Sequence, residues 1–375
     1  MHLLFITEYY PKTLLGDVHG GVEFRVFQLS QLLAQNNEVT VIASQETDKP
    51  VHQKIGRVKV LRVGKKRAYT RSGSIWERLS FMIMASVIAL REDFDVVEGS
   101  SFFAWLPAWI GGVIRNRKKV MLIADTVENY GKNIPYVTHK GLTVFERLLF
   151  NLPWNGVVVI SKTVQKKLMN HKIISKTNVI PCGVFLPKKS TRTYKTFTIC
   201  CISRLVPYKD VETLIRAVHL LLKMGHHLQL IIIGDGEQEK QLKSLTGSLH
   251  IADTIVFRGF IPGHKQVMKV LRSCHLFCLP SKVEGFGIAT IEAFSSAIPA
   301  VLADLPIHHE VTQEKGALFF EPGNFQDLAE KISVLIDNPR YRNKLSVEGY
   351  KIARAYQWPQ IANDTLTYYE NLLTY

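Results

Sequence analysis

Long apolar runs are missing from this chain. The longest, LSFMIMASVIAL at residues 79–90, falls well short of the roughly 20 residues a helix needs to cross a bilayer, so no transmembrane span is expected. The opening MHLLFITEYYP has no basic segment followed by an apolar stretch and a small-residue cleavage site, and reads as a first strand rather than a secretory leader. Cysteine is scarce, with five in 375 residues. Cys200, Cys201, Cys274 and Cys278 lie in the apolar runs TICCIS and CHLFCLP, which suits small buried hydrophobes in a reducing compartment, not a disulfide framework. Cys274 and Cys278 have His275 between them, but the spacing is wrong for a zinc knuckle and no second pair exists. Low-complexity segments and sequence repeats are absent, and 46% hydrophobic against 21% charged residues is a globular composition. The expected location is the cytoplasm, or the inner face of the cell membrane as a peripheral protein.

Acidic residues are scarce in one half only. Residues 1–190 hold 27 Lys and Arg against 14 Asp and Glu, whereas residues 191–375 hold 20 against 18. Nearly all of the net charge of +15 therefore sits in the first half. Such a face suits nucleic acid, an anionic membrane or a phosphorylated substrate.

What is present is an alternation of strands and helices, run twice. HLLFITEYY, a glycine loop, a helical stretch over Val22–Gln35 and the strand EVTVIAS form a βαβ unit. GRVKVLRV, FDVVEGS, KKVMLIA and GVVVIS continue it. A second alternation begins at YKTFTICCISRL and runs through HLQLIIIGDG, TIVFRGFI, HLFCLPS and AIPAVLA. The polar, basic stretch PCGVFLPKKSTRTYK at residues 181–195 is the expected break. Two doubly wound α/β domains are expected, over residues 1–185 and 186–355. The helical tail 356–375 has no strand of its own and is expected to pack back toward the first domain. Open α/β sheets bind ligands beyond the carboxyl ends of their strands, and two of them place the expected site in the cleft between. The candidate loops are Gly20-Gly21, Asp125–Asn129, Arg204–Lys209, Gly234-Asp235-Gly236 and Glu284–Gly287.

The most informative stretch is SKVEGFGIATIEAFSSAIPAV at residues 281–301. Gly285 and Gly287 flank a turn, and Ile288, Ile291 and Phe294 follow at helical spacing. The N–H groups that open that helix lack intrahelical partners and suit an anion or a ring of hydroxyls. Glu284 then lies in the loop and Glu292 on the helix. Two readings stand. The carboxylates are a general acid/base pair at a glycosidic bond, or they grip the sugar and the ribose of a phosphate-bearing sugar donor. Arg204 and Lys209, between a strand end and a helix, suit a diphosphate; the alternative is pairing with a local acid such as Asp210.

SRLVPYKDVETLIRA, LIIIGDGEQEKQL, VFRGFI, LPSKVEGFGIATIEAFSSAIPAVLAD and ALFFEPGNFQDLAEKI, in this order, resemble the retaining glycosyltransferases of the family 4 type, with the GT-B fold. GGVEFRVFQLSQLLAQNNEVTVIA is similar to that family's glycine motif and first helix. The likeness is strong over residues 199–325 and looser over 45–150. It implies that Glu284 contacts the donor sugar and Glu292 the ribose. It further implies that the backbone N–H groups of Phe286, Gly287 and Ile288, beside Gly285, meet sugar hydroxyls and diphosphate. Arg204 and Lys209 would neutralise the leaving diphosphate, with Gly234 and Gly236 in the donor loop and Gly21 approaching the donor phosphate. The family needs no bound metal or other cofactor.

Two positions depart from the family pattern. Ala297 stands where glycine is usual, a change expected to affect only helix packing. Asp125 stands where many members have histidine, and is a candidate for donor-sugar contact, with Glu128 a weaker one; His19, near the glycine loop, reads as a bystander. The resemblance implies front-face transfer, in which the leaving diphosphate takes the acceptor's proton. It also places the acceptor on the first domain. There a basic cluster (Arg62, Lys65, Lys66, Arg67, Arg71, Arg78) precedes an apolar helix with Trp76, a pattern suited to an anionic membrane and a lipid-linked acceptor or to a core helix behind a basic loop. The rival activities are a sugar phosphorylase or nucleotide-sugar epimerase on the same fold. No nucleic-acid recognition motif accompanies the basic surplus.

Overall fold

The computed structural model describes residues 1–15, 17–18, 20–46, 52–66, 74–128, 136–187 and 193–374. Two compact units divide the chain: Met1–Cys182 with Trp358–Tyr375, and Gly183–Gln357.

The first unit runs β1 (His2–Ile6), α1 (Gly21–Leu33), β2 (Glu38–Ser44), β3 (His52–Ile55), β4 (Val58–Val63), α2 (Ile75–Arg91), β5 (Val96–Gly99), α3 (Trp105–Ile114), β6 (Lys118–Ile123), α4 (Tyr136–Phe150), β7 (Gly156–Val159), α5 (Lys162–Lys167) and β8 (Thr177–Val179). Its sheet has the order β3-β4-β2-β1-β5-β6-β7-β8. Every pairing is parallel except that of β3 with β4. Parallel strands covered on both faces read as unbroken apolar runs. That is the state of Leu3–Ile6, Val120–Ile123 and Val157–Val159, all buried.

The second unit runs β9 (Phe197–Ile202), α6 (Val211–Lys223), β10 (Leu228–Ile233), α7 (Glu239–Ser248), β11 (Ile255–Phe257), α8 (His264–Leu271), β12 (Leu276–Leu279), α9 (Ile288–Ser295), β13 (Ala300–Ala303), α10 (Pro306–Thr312), β14 (Ala317–Phe320), α11 (Phe325–Asp337) and α12 (Pro339–Ala353). Its sheet, β11-β10-β9-β12-β13-β14, is parallel throughout. The order reverses beside β9, so the loops after β9 and β12 are neighbours at the switch point of the sheet. All five cysteines are buried and free.

The last helix, α13 (Trp358–Thr374), belongs to the first unit. Trp358 is fully buried with its ring edge-on to Phe24 of α1, 5.9 Å between centroids. Tyr369 of α13 donates a 2.5 Å hydrogen bond to Glu98 Oε2 on β5.

Ala297 does more than pack. It has φ +56°, and its N–H bonds to the Phe294 carbonyl while Ile298 N–H bonds to that of Ala293, both at 2.9 Å. That is the hydrogen-bond pattern of a Schellman cap, whose left-handed residue is usually glycine. The expectation of a packing change alone is therefore corrected: the methyl sits in a conformation costing about 1–2 kcal/mol for an L-residue. Ala297→Gly is expected to stabilise the second unit by about 0.5–1 kcal/mol after glycine's unfolded-state entropy is deducted, read as an upward shift of the denaturation midpoint. A downward shift would show that the cap is not strained.

The basic cluster before α2 also needs correcting. Arg62 is on β4 at 1% exposure, donating to the carbonyls of Tyr10 and Pro11 at 3.0 and 2.8 Å. It is a core residue and no part of a surface. Lys65 and Lys66 are exposed, whereas Arg67 and Arg71 lie outside the described residues. Helix α2 buries Phe81, Met82, Ala85 and Ala89 but leaves Ile75, Trp76 and Ile83 more than half exposed. No helix among the described residues is long and apolar enough to cross a membrane.

Candidate active site

The site in the second unit begins with two backbone segments pressed together. Gly234 and Gly236, just after β10, have φ +128° and +155°, and a Cβ on them would lie 2.0 Å from the Ser203 carbonyl oxygen and 2.3 Å from that of Leu205. Leu205 N–H donates to the Asp235 carbonyl at 2.7 Å. These glycines let the β10 exit lie against the Arg204 loop and fix it.

The Arg204 loop turns back through Pro207–Lys209 into α6. Arg204 Nη2 donates to Tyr208 Oη at 2.6 Å. Lys209 Nζ donates to Glu284 Oε1, which also accepts from Ser281 Oγ at 3.0 Å. Asp210, the alternative partner, is instead taken by Lys282 at 3.0 Å and by Thr213 Oγ1 at 2.7 Å. So the loops after β9 and β12 are joined by an ion pair whose side chains are 14% and 10% exposed. Burial opposes ionisation of Glu284, but the charge and hydrogen bond of Lys209, with the hydrogen bond of Ser281, hold its carboxyl below the usual value. A general acid needs a raised pKa. Glu284 is held ionised, so the geometry disfavours it as the proton donor of an acid/base pair and suits it to binding hydroxyls or positive charge.

Beyond Glu284 the chain turns at Gly285-Phe286-Gly287. Phe286 buries its ring edge-on to Tyr356 at 5.8 Å, so any part it plays in binding falls to its backbone. Gly287 has φ +79° and precedes α9, whose N-terminus carries no side-chain cap. The first N–H groups of a helix lack intrahelical partners and suit an anion; in α9 that of Thr290 bonds to the Gly287 carbonyl at 2.9 Å. Glu292 is on the second turn, 5% exposed, and is bound by His264 Nε2 at 2.6 Å. His308 of α10 lies beside Gly287: a Cβ on Gly287 would be 3.7 Å from His308 Nε2. Its Nδ1 is 2.7 Å from the Ala303 carbonyl, which assigns the proton to Nδ1. Burial pushes its pKa down, leaving a neutral ring.

In the first unit, Gly21 is the exposed first residue of α1, after Gly20 in an extended conformation. Asp125 follows β6; its Oδ1 accepts from Lys167 Nζ at 2.7 Å and from Thr126 N–H at 2.8 Å. Glu146 of α4 accepts the Val127 N–H at 3.0 Å, and burial, against that hydrogen bond, raises its pKa to about 7. Glu128 pairs with exposed Arg147 at 2.8 Å. His19 and Asn129 lie outside the described residues.

The structure thus brings together Arg204, Lys209, Gly234, Gly236, Glu284–Ile288 and Glu292 in the second unit, and holds Asp125 and Gly21 at strand-end loops of the first. Sequence reading missed His264, Ser281, His308 and Glu146. His264, His308 and Glu146 carry no motif of their own, and Ser281 opens the glycine-turn stretch without standing out in it; Lys209 and His264 reach Glu284 and Glu292 only through tertiary contact. Among the described residues, no group of three or more His, Cys, Asp or Glu side chains is placed to hold a metal ion.

Two family models match almost end to end: Glycosyltransferase Family 4 over residues 19–186 and Glycosyl transferases group 1 over residues 185–352. The chain is similar to a phosphatidyl-myo-inositol mannosyltransferase of Mycobacterium leprae, 26% identical over 96% of this chain and 95% of the relative. Some other relatives are matched over only about half of their own length. Among solved structures, sucrose-phosphate synthase from Thermosynechococcus elongatus superposes with TM-score 0.84 at 18% identity, covering 100% of this chain and 99% of the other. Anabaena HepE in complex with UDP-glucose does so with TM-score 0.76 at 19% identity, covering 98% and 99%. These neighbours have the GT-B fold, two parallel-sheet α/β domains, and the chain is a glycosyltransferase belonging to the family 4, group 1 enzymes.

Proposed function

We propose that this chain is a retaining glycosyltransferase that moves a sugar from a nucleotide-sugar to a hydroxyl of a saccharide or lipid-linked acceptor in cell-surface polysaccharide or glycolipid assembly. The observation that carries the reading is the ionised Glu284 held by Lys209 at the loop before the uncapped N-terminus of α9. A carboxylate there accepts from sugar hydroxyls, while Lys209, Arg204 and the helix end offer positive charge to a diphosphate. Asp125, fixed by Lys167, is a further sugar contact in this reading, and Gly21 lets the backbone come close to the donor phosphate.

In the reaction, the acceptor oxygen bonds to the anomeric carbon on the face the diphosphate leaves. The bond from that carbon to the β-phosphate oxygen breaks, and the released phosphate oxygen takes the acceptor's proton. Arg204, Lys209 and the α9 N–H groups stabilise the charge that develops on the diphosphate. No bound metal is required for this chemistry. The exposed apolar face of α2 with Trp76, following Lys65 and Lys66, suits a peripheral position on anionic lipid, on the cytoplasmic side, where a lipid-linked acceptor would lie. The mannosyltransferase relative is named for a phosphatidylinositol, which agrees with such an acceptor.

The test is incubation with UDP-, GDP- and ADP-sugars and a lipid-phosphate-linked saccharide in anionic vesicles. Nucleoside diphosphate release that depends on the acceptor, with the anomeric configuration kept in the product, is the expected result. Sugar 1-phosphate formed only with added phosphate would identify a phosphorylase instead. Interconversion of the nucleotide-sugar alone would identify an epimerase.

A further inference from the structure

Glu292 is a buried carboxylate on α9, and among the described residues the side chain that bonds to it is His264, the first residue of α8. The pair is 28 positions apart, with Nε2 to Oε1 at 2.6 Å. His264 follows Gly263, whose φ of +84° directs the chain into α8. A cation in the first turn of a helix faces the positive end of the dipole, so the helix itself does not favour a charged imidazole there. The carboxylate does. Burial lowers the pKa of His264, but the charge and hydrogen bond of Glu292 outweigh it, and the net shift is upward. Side-chain exposure of 27% for His264 and 7% for Glu292 leaves the imidazole nearer to solvent and the carboxylate deeper.

We propose that His264 is a positioning residue: it locks Oε1 of Glu292 so that Oε2 is presented to the cis-diol of the nucleotide ribose. This deepens the donor-site reading above and rests on it. A carboxylate accepts about four hydrogen bonds, so one taken by His264 leaves capacity for both ribose hydroxyls. Without the lock the carboxylate has free rotation to lose on binding, and among the described residues no other ion pair holds it.

The experiment measures binding of UDP, GDP and ADP, and of the 2′,3′-dideoxy form of each, to wild type, His264→Ala and His264→Phe, with melting temperatures taken first. Wild type is expected to prefer one ribonucleotide over its dideoxy form by about tenfold or more. Both variants are expected to lose most of that preference while holding the dideoxy nucleotide within about twofold of wild type. His264→Phe keeps the volume of the ring without a donor and carries the test if the alanine variant does not fold. A variant that keeps the wild-type preference, or that weakens both forms equally, overturns the role of His264 and leaves the donor site standing. A wild type that binds ribo and dideoxy forms alike, or binds none, overturns the ribose reading of Glu292 and this inference with it.

Discussion

Glu98→Ala is expected to lower the stability of the first unit by about 3–5 kcal/mol, the cost of leaving a buried charge without its partner. Glu98 on β5 and Arg25 on α1 are both about 1% exposed, with Nη1 3.6 Å from Oε1. None of the three guanidinium nitrogens of Arg25 has a hydrogen-bond partner among the described residues, so the carboxylate is its compensation. Glu98 also accepts from Ser100 Oγ at 2.7 Å and from Tyr369 on α13. One residue therefore ties the first helix, the central strand and the last helix together. Burial and the Glu98 charge push the Tyr369 phenol well above its usual pKa, so Tyr369 stays a donor throughout the neutral range. For a unit of this size the loss corresponds to a fall in melting temperature of roughly 10 °C. Arg25→Met with Glu98→Leu is expected to recover most of it, because removing both charges leaves none stranded. A Glu98→Ala protein within about 1 kcal/mol of wild type by denaturant titration would show that the pair does not carry this load.

The second large effect is on activity. Lys209→Met is expected to cut kcat/KM by roughly 10²–10³-fold, the usual loss when one preorganised charge at a developing anion is removed. It also strips Glu284 of its cation, which gives a stability signature in acid. The folded pKa of Glu284 lies below the ordinary carboxylate value that it has in the unfolded chain. Its contribution to wild-type stability is therefore present above that ordinary value and is lost as pH falls through the lower, folded pKa. In Lys209→Met burial remains while the largest opposing influence is gone, so the folded pKa moves up and Glu284 contributes less to the stability lost on acidification: the variant is weaker at neutral pH and the gap to wild type narrows in acid. Denaturation midpoints of the two proteins at neutral and at acid pH check the sign. An unchanged midpoint with unchanged kcat/KM would mean that the Lys209–Glu284 pair serves neither role.

The strands visible in the sequence are those buried on both faces, because a continuous apolar run such as LIII in β10 has one reading when turn residues bound it. The strands β3 (HQKI), β8 (TNV) and β14 (ALFF) do not stand out in the same way. They are three or four residues long and lie at sheet edges, where the neighbouring strand, not their own composition, makes them strands. Arg62 misleads for a related reason. An arginine in a run of basic residues reads as surface, and only the fold brings the Tyr10 and Pro11 carbonyls to it. In the site, the spacing of Glu284 and Glu292 and their glycine turn are legible because they are local. Their partners are not: Lys209 is 75 positions from Glu284 and His264 is 28 from Glu292. The left-handed conformation of Ala297 is a third case, since an alanine gives no sign of the backbone it must adopt.

The most direct test of the donor site is a thermal titration of wild type and Glu292→Ala with UDP-, GDP- and ADP-sugars, with no metal added. A ligand that binds only the folded state stabilises it by about 2.7 kcal/mol at a hundredfold excess over Kd. The expected result is a rise of several degrees in melting temperature with one nucleotide class, largely abolished in Glu292→Ala. Wild type unmoved by all three at millimolar concentration, or a shift that Glu292→Ala retains in full, would contradict the placing of the nucleotide-sugar at Glu284, the α9 N-terminus and Glu292.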